Sequence, residues 1–176
     1  MKNKILGREA RNRSEIRRYV LTSAALLLLT VVLQTTVLAR WRWFGIVPDL
    51  TFAVVVCLAY FCGAETGAIC GIAGGFLIEA LGGHGLAILP LVYLFLGYVI
   101  GFFAKRQPQG LRSYALIGAV TLPIHAAVTV FYTLVTYHKL TGYTFTHILL
   151  PETGALVILF ALLYFPLKKL TDWVQR

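Results

Sequence analysis

Asp49, Glu79, His84, His125 and Glu152 are ionisable side chains set in or beside long apolar runs. Such groups are costly in apolar surroundings unless they face protein or water. Each is therefore a candidate for structural pairing, ligand binding or proton handling. Glu79 lies in the segment TGAICGIAGGFLIEALGG, one turn after Gly75. Counted along helical spans, it falls at a depth similar to that of Asp49, His84, His147 and Glu152. Arg40, Arg42 and Lys139 lie in the adjoining loops. This predicts a polar cluster at the outer mouth of a helix bundle. Three readings stay open for it: pairing with helix capping, a binding pocket, or a metal site, although no two candidate ligands share a recognised metal spacing. His125 follows Pro123 by two residues, in the middle of a span. Proline removes a backbone hydrogen bond and kinks a helix, so His125 either bonds a freed carbonyl or relays protons.

Nucleophilic chemistry finds little support. The serines are Ser14, Ser23 and Ser113, and none sits in a GxSxG elbow. No paired-carboxylate motif, HExxH or Walker loop occurs. Cys57, Cys62 and Cys70 lie in apolar runs without metal-ligand spacing and read as small packing residues. A cysteine–histidine pairing, such as Cys70 with His125, is the remaining nucleophile–base combination. The expectation is a protein that is not an enzyme and holds no cofactor or metal.

The elements that would position these residues are membrane helices. Apolar residues make up 59% of the chain and charged residues 13%, against about 25% charged in a soluble domain. Tyr19 to Ala39 runs 21 residues without a charge, enough to cross roughly 30 Å of hydrocarbon. It is too long for a secretory signal and reads as a retained first helix. Six spans are predicted: Tyr19–Ala39, Pro48–Cys62, Thr66–Gly82, Leu86–Ala104, Ser113–Tyr137 and Ile148–Leu167. Pro48 to Gly82 is too long for one span, and Gly63-Ala64-Glu65-Thr66 breaks it into a helical hairpin. The layout is a basic tail over 1–18, a transmembrane domain over 19–167 and a short tail over 168–176 that lies along the membrane surface.

Basic residues orient the chain. Seven of the 16 lie in the first eighteen positions, and 13 fall on the side shared by both termini, the Glu65 hairpin and the 105–112 loop. This bias predicts cytoplasmic termini. The basic N-terminus beside a span reads as a topology signal and an anchor for anionic lipid, not as a nucleic-acid surface. Trp41, Trp43 and Phe44 fall at the outer interface, and Tyr19 and Trp173 at the inner one.

Small residues mark the contacts between helices. Gly67, Gly71 and Gly75 are four apart and form a slanting ridge, and Gly97 and Gly101 repeat the device. Either this ridge packs inside the protein or it docks a partner helix. Short connections on both sides of its helix favour the internal fit.

From Gln34 onward the chain resembles the rod shape-determining protein MreD family. The features run in order: Gln34-Thr35-Thr36, Val47-Pro48-Asp49-Leu50, Gly63 and Gly67, Gly74-Gly75-Phe76 with Glu79, Gly82-Gly83-His84-Gly85-Leu86, then Leu96-Gly97-Tyr98-Val99-Ile100-Gly101 before Lys105-Arg106. The detailed match covers about residues 30–106, and an aspartate is usual in the family where Glu79 stands. The resemblance implies a non-enzymatic subunit of the bacterial cytoplasmic membrane. It would pair with bitopic MreC and belong to the elongation machinery with MreB, RodZ, RodA and a class B penicillin-binding protein, organising lateral peptidoglycan synthesis and cell shape. The implied fold is that of the substrate-capture subunits of energy-coupling-factor vitamin transporters. Such a subunit is the alternative function. Those subunits typically carry an Ala-x-x-x-Ala pair on helix one, and Ala24, Ala25 and Ala39 here do not supply it.

Overall fold

A computed structural model describes residues 18, 21–40, 47–82, 88–108, 110–137 and 145–174. Among them every regular element is helical. In chain order these are α1 (Leu21–Leu38), α2 (Leu50–Cys62), α3 (Ala64–Gly82), α4 (Leu89–Ala104), α5 (Leu111–Tyr137) and α6 (Leu150–Val174). The last turn of α1, Gln34–Leu38, is a wider π-type turn. The Thr35 hydroxyl donates to the Val31 carbonyl there, and that of Thr36 to Val32. Hydroxyls that occupy carbonyls in this way loosen the regular ladder.

α2 is the hub. Every residue from Leu50 to Tyr60 is buried, and α3, α4 and α6 all pack on it. Its sequence, LTFAVVVCLAYFC, has no polar face, as a helix enclosed on all sides requires. Lipid contact falls to the outer helices. Leu29 on α1, Phe76 on α3, Phe95 on α4, Leu116 on α5 and Phe165 on α6 are all more than half exposed. An apolar surface this extensive suits a bilayer and not water.

Four helices are long and apolar enough to cross a membrane, over Leu21–Leu38, Ala64–Leu81, Leu111–Val135 and Leu150–Asp172. α2, with 13 residues, and α4, with 16, are shorter. For α2 the shortness has a physical reading. A helix sheathed by protein need not match the bilayer, provided its ends find polar partners inside the bundle.

The hairpin is tighter than the four-residue break expected from sequence. Gly63 alone separates α2 from α3, at φ +97°, a conformation open to glycine and strained for other residues. α6 also departs from expectation. It continues through Pro166 to Val174, so the helix does not end at Leu167 to leave a separate tail. Leu167 and Thr171 are both buried, and the Thr171 hydroxyl donates to the Leu167 carbonyl at 2.8 Å. The inward face is thus unbroken, and packing carries the helix onward. Residues 1–17 of the basic N-terminal tail, Tyr19, Trp41, Arg42, Trp43, Phe44, His84, Lys139 and the side chain of Trp173 lie outside the described residues.

The glycine ridge of α3 faces α4. A Cβ built on Gly67 would stand 2.5 Å from the Gly97 carbonyl oxygen, one on Gly71 2.2 Å from that of Tyr93, and one on Gly75 2.6 Å from the backbone of Pro90. From the other side, a Cβ on Gly101 would stand 2.4 Å from the backbone of Gly63 and Ala64. Backbone thus meets backbone along the whole α3–α4 contact, which lets dispersion act where the hydrophobic effect cannot.

Candidate functional site

The N-terminus of α2 begins inside the bundle, so its first amide groups need acceptors from the protein itself. Asp49 is the N-cap. Its Oδ1 accepts from the Phe52 N–H at 2.9 Å, and the Gln34 side chain accepts from both the Thr51 N–H and the Thr51 hydroxyl at 2.8 Å. The Gln34 amide in turn reaches Asp49 Oδ1 at 3.4 Å. Two helices are thereby joined through the cap of one of them.

The second oxygen of Asp49 faces α4 and α5. The Tyr93 hydroxyl donates to Oδ2, and His125 Nε2 lies 3.3 Å from it. The other ring nitrogen, His125 Nδ1, is 4.0 Å from Glu152 Oε1 at the start of α6. His125 is 7% exposed, Asp49 15% and Glu152 14%, so a buried imidazole stands between two partly buried carboxylates. Phe52 shields it, with its ring centroid 4.4 Å from that of His125 and 5.6 Å from that of Tyr93. Five helices contribute: α1 with Gln34, α2 with Asp49, α4 with Tyr93, α5 with His125 and α6 with Glu152.

Helix rise locates the array. Gln34, Asp49, Tyr93 and His125 each lie 11 to 14 residues from the end of their helix that gathers Lys105, Arg106, Arg112 and Lys168, or about 17 to 21 Å along the axis. Glu152, by contrast, lies 22 residues from Val174, at the start of α6, so the array joins the starts of α2 and α6 to the interiors of α4 and α5.

The membership differs from the sequence expectation in three ways. Asp49 and Glu152 belong, as expected. His125 joins them: both of its ring nitrogens turn to carboxylates, and not to a carbonyl freed by Pro123. Glu79 does not belong. Its Oε1 accepts from the Leu89 N–H at 2.9 Å, capping the first turn of α4 from a neighbouring helix, where an acid also meets the positive end of the helix dipole. Its direction follows from the ridge, since Glu79 continues the line of Gly75, which packs on Pro90. His84 lies outside the described residues. His147 is exposed in the turn before α6, with Nδ1 2.7 Å from the Thr146 hydroxyl.

The cap makes a prediction. Glu79→Gln retains an oxygen for Leu89 and should leave stability nearly unchanged. Glu79→Leu should lower it by about 1–2 kcal/mol, the usual effect of losing a cap and orphaning a buried amide. Thermal unfolding of both variants in detergent measures the difference; equal midpoints would remove the cap from the account.

Neither Gln34 nor Tyr93 stands among the site residues expected from the sequence. A tyrosine in an apolar helix carries no signal of its own, whereas the amide of Gln34 inside an apolar span does. A second network, also unforeseen, fixes the other end of α2. The Tyr60 hydroxyl is 2.7 Å from that of Ser113 and accepts from the Gly110 N–H at 3.0 Å. Cys57 Sγ lies 2.9 Å from the Tyr114 hydroxyl, which donates to the Phe160 carbonyl at 3.0 Å. Cys57 is therefore engaged as a polar packing group, and none of Cys57, Cys62 and Cys70 forms a disulfide. His125, committed to two carboxylates, is not paired with Cys70.

Chemically, the array can hold a proton between two carboxylates and an imidazole, and it can lock five helices together. Among the described residues no three His, Cys, Asp or Glu side chains gather as a metal site, and no buried side-chain nitrogen or oxygen lacks a hydrogen-bond partner. Comparison with family models, with curated proteins and with solved structures returns no match.

Proposed function

We propose that this chain is a non-catalytic membrane subunit of the bacterial cell-elongation machinery, of the MreD type. It sits in the cytoplasmic membrane, with six helices threaded through the bilayer and both termini in the cytoplasm. It pairs with an MreC-like bitopic protein and acts with MreB, RodZ, RodA and a class B penicillin-binding protein to organise lateral peptidoglycan synthesis.

One observation carries this reading: several of the residues on which the resemblance rests meet one another in space. Gln34 binds Thr51 and reaches Asp49. Gly67 meets Gly97 backbone to backbone. Gly101 packs on Gly63 and Ala64, and Glu79 caps the helix that carries Gly97. Motifs that converge on one set of contacts are what a shared architecture requires. The polar array supports a scaffolding role. Its groups saturate one another across five helices, as a junction built for shape demands.

The test is depletion in the source cell with simultaneous measurement of cell width and nutrient requirement. Wider or rounder cells without a new vitamin requirement are expected. Normal width with a new vitamin requirement would overturn the proposal in favour of a vitamin-capture subunit.

A further inference from the structure

α4 and α5 leave between them a cleft of about 280 Å³. Its walls are apolar: Leu96, Ile100 and Phe103 on α4, and Leu116, Val120 and Ile124 on α5. Leu116 and Val120 are more than 60% exposed, so the cleft opens sideways toward lipid. The buried hydroxyl of Thr121 at its back already donates to the Gly118 carbonyl at 3.1 Å, which leaves that wall without polar demand.

Length and charge identify the occupant. The cleft runs from Leu96 to Phe103 on α4 and from Leu116 to Ile124 on α5, about 10 to 12 Å by helix rise, with Gln107 just beyond the end of α4. That fits within one leaflet, half of a ~30 Å hydrocarbon core. A membrane-crossing partner helix would need a much longer groove. The cleft ends in polarity on one side only, at Gln107. Beside it the Arg106 guanidinium lies over the Phe102 ring at 4.1 Å, and Arg112 is exposed one turn before Leu116. Among the described residues neither guanidinium has a carboxylate within 4.0 Å; the ion pairs there belong to His125. The neighbouring Lys105 is directed elsewhere, its side chain lying over Gly63.

We infer that the α4–α5 cleft seats one acyl chain of an anionic phospholipid whose phosphate is held by Arg106 and Arg112. This site is separate from the basic N-terminal tail. It gives the chain a preference for one lipid class at a fixed place on its surface.

The test uses the purified full chain in detergent, incubated with equal amounts of phosphatidylglycerol and phosphatidylethanolamine bearing identical acyl chains. Bound lipid is counted by native mass spectrometry. Wild-type protein should retain phosphatidylglycerol in preference. Arg106→Gln and Arg112→Gln should each lower its occupancy about fivefold relative to wild type, the effect of one basic residue near an anionic surface. Val120→Trp, at an exposed position, should fill the cleft and remove the bound phosphatidylglycerol. Equal retention of the two lipids by wild type would overturn the inference, as would wild-type occupancy in the double arginine variant. The latter would place the anionic lipid on the N-terminal tail. If Val120→Trp does not fold, the arginine variants decide alone. A disulfide between copies through Val120→Cys, in protein lacking the native cysteines and held in phosphatidylglycerol vesicles, would show a second copy in the cleft and also overturn it.

Discussion

Gly71→Ala should leave little folded protein to purify. The added methyl would stand 2.2 Å from the Tyr93 carbonyl oxygen and 2.5 Å from its carbonyl carbon. Both are main-chain atoms of α4, so no side chain can swing aside and the two helices must separate. Overpacking usually costs about 1–3 kcal/mol. With backbone as the obstacle the cost belongs at or above the top of that range, against a total stability of about 5–15 kcal/mol. Two other glycines calibrate the result. A methyl on Gly74 would stand 3.0 Å from Thr51 Cγ2 and 3.2 Å from Leu27 Cδ1, side-chain ends that can give, so Gly74→Ala should be mildly destabilising. A methyl on Gly118 would meet no atom within 4 Å. Gly118→Ala should therefore be neutral or stabilising by up to about 1 kcal/mol, the helix-propensity gain of alanine. Yield, elution volume and unfolding midpoint in detergent give the ranking. If Gly71→Ala behaved like Gly118→Ala, α3 and α4 would not touch at this ridge.

The ridge was legible in the sequence because a spacing of four is a statement about one helix face, and needs no knowledge of the partner. The hairpin at Gly63 was legible for a similar reason: a glycine interrupts an apolar run too long to be one span. What the sequence could not reveal was which apolar helix is wrapped in protein and which is wrapped in lipid. Composition is the same in both cases, and α2, with its unbroken FAVVVCLA, reads equally well as either. That ambiguity propagated into the site. Counting depth along the expected spans put Asp49 at the outer end of a short span and His125 in the middle of a long one, on different levels. In the structure Asp49, at the N-terminus of the internal α2, and His125, within α5, meet at 3.3 Å. The same counting grouped Glu79 with Asp49, although the slant of the glycine ridge carries Glu79 toward the start of α4. The acids were therefore recognisable as residues that must be partnered, but their partners depended on helix lengths and on which faces were turned inward.

The clearest test of the buried array is a change of sign. Asp49→Leu removes the cap of Phe52 and leaves Tyr93, His125 and Gln34 without their common acceptor. A lost cap costs about 1 kcal/mol, and each buried donor left unsatisfied costs about 1–3 kcal/mol more. The total is on the order of 4 kcal/mol, a large share of the stability of any domain. Asp49→Asn should lose less, since it still offers an oxygen to Phe52 and to one other donor. Tyr93→Phe then discriminates. With Asp49 in place, the substitution deletes a satisfied hydroxyl and should lower the unfolding midpoint. In the Asp49→Leu background, the same substitution deletes an orphaned hydroxyl and should raise the midpoint, because an apolar pair of similar shape avoids the desolvation penalty. The coupling between the two positions should fall in the range of about 0.5–3 kcal/mol typical of residues in direct contact. The cycle is read from unfolding midpoints of the four proteins in one detergent, with Asp49→Asn replacing Asp49→Leu if the leucine variant yields no folded protein; there the Tyr93→Phe effect should shrink without reversing. An identical loss from Tyr93→Phe in every background would mean that the two side chains do not interact, and the junction would have to be redrawn without Tyr93.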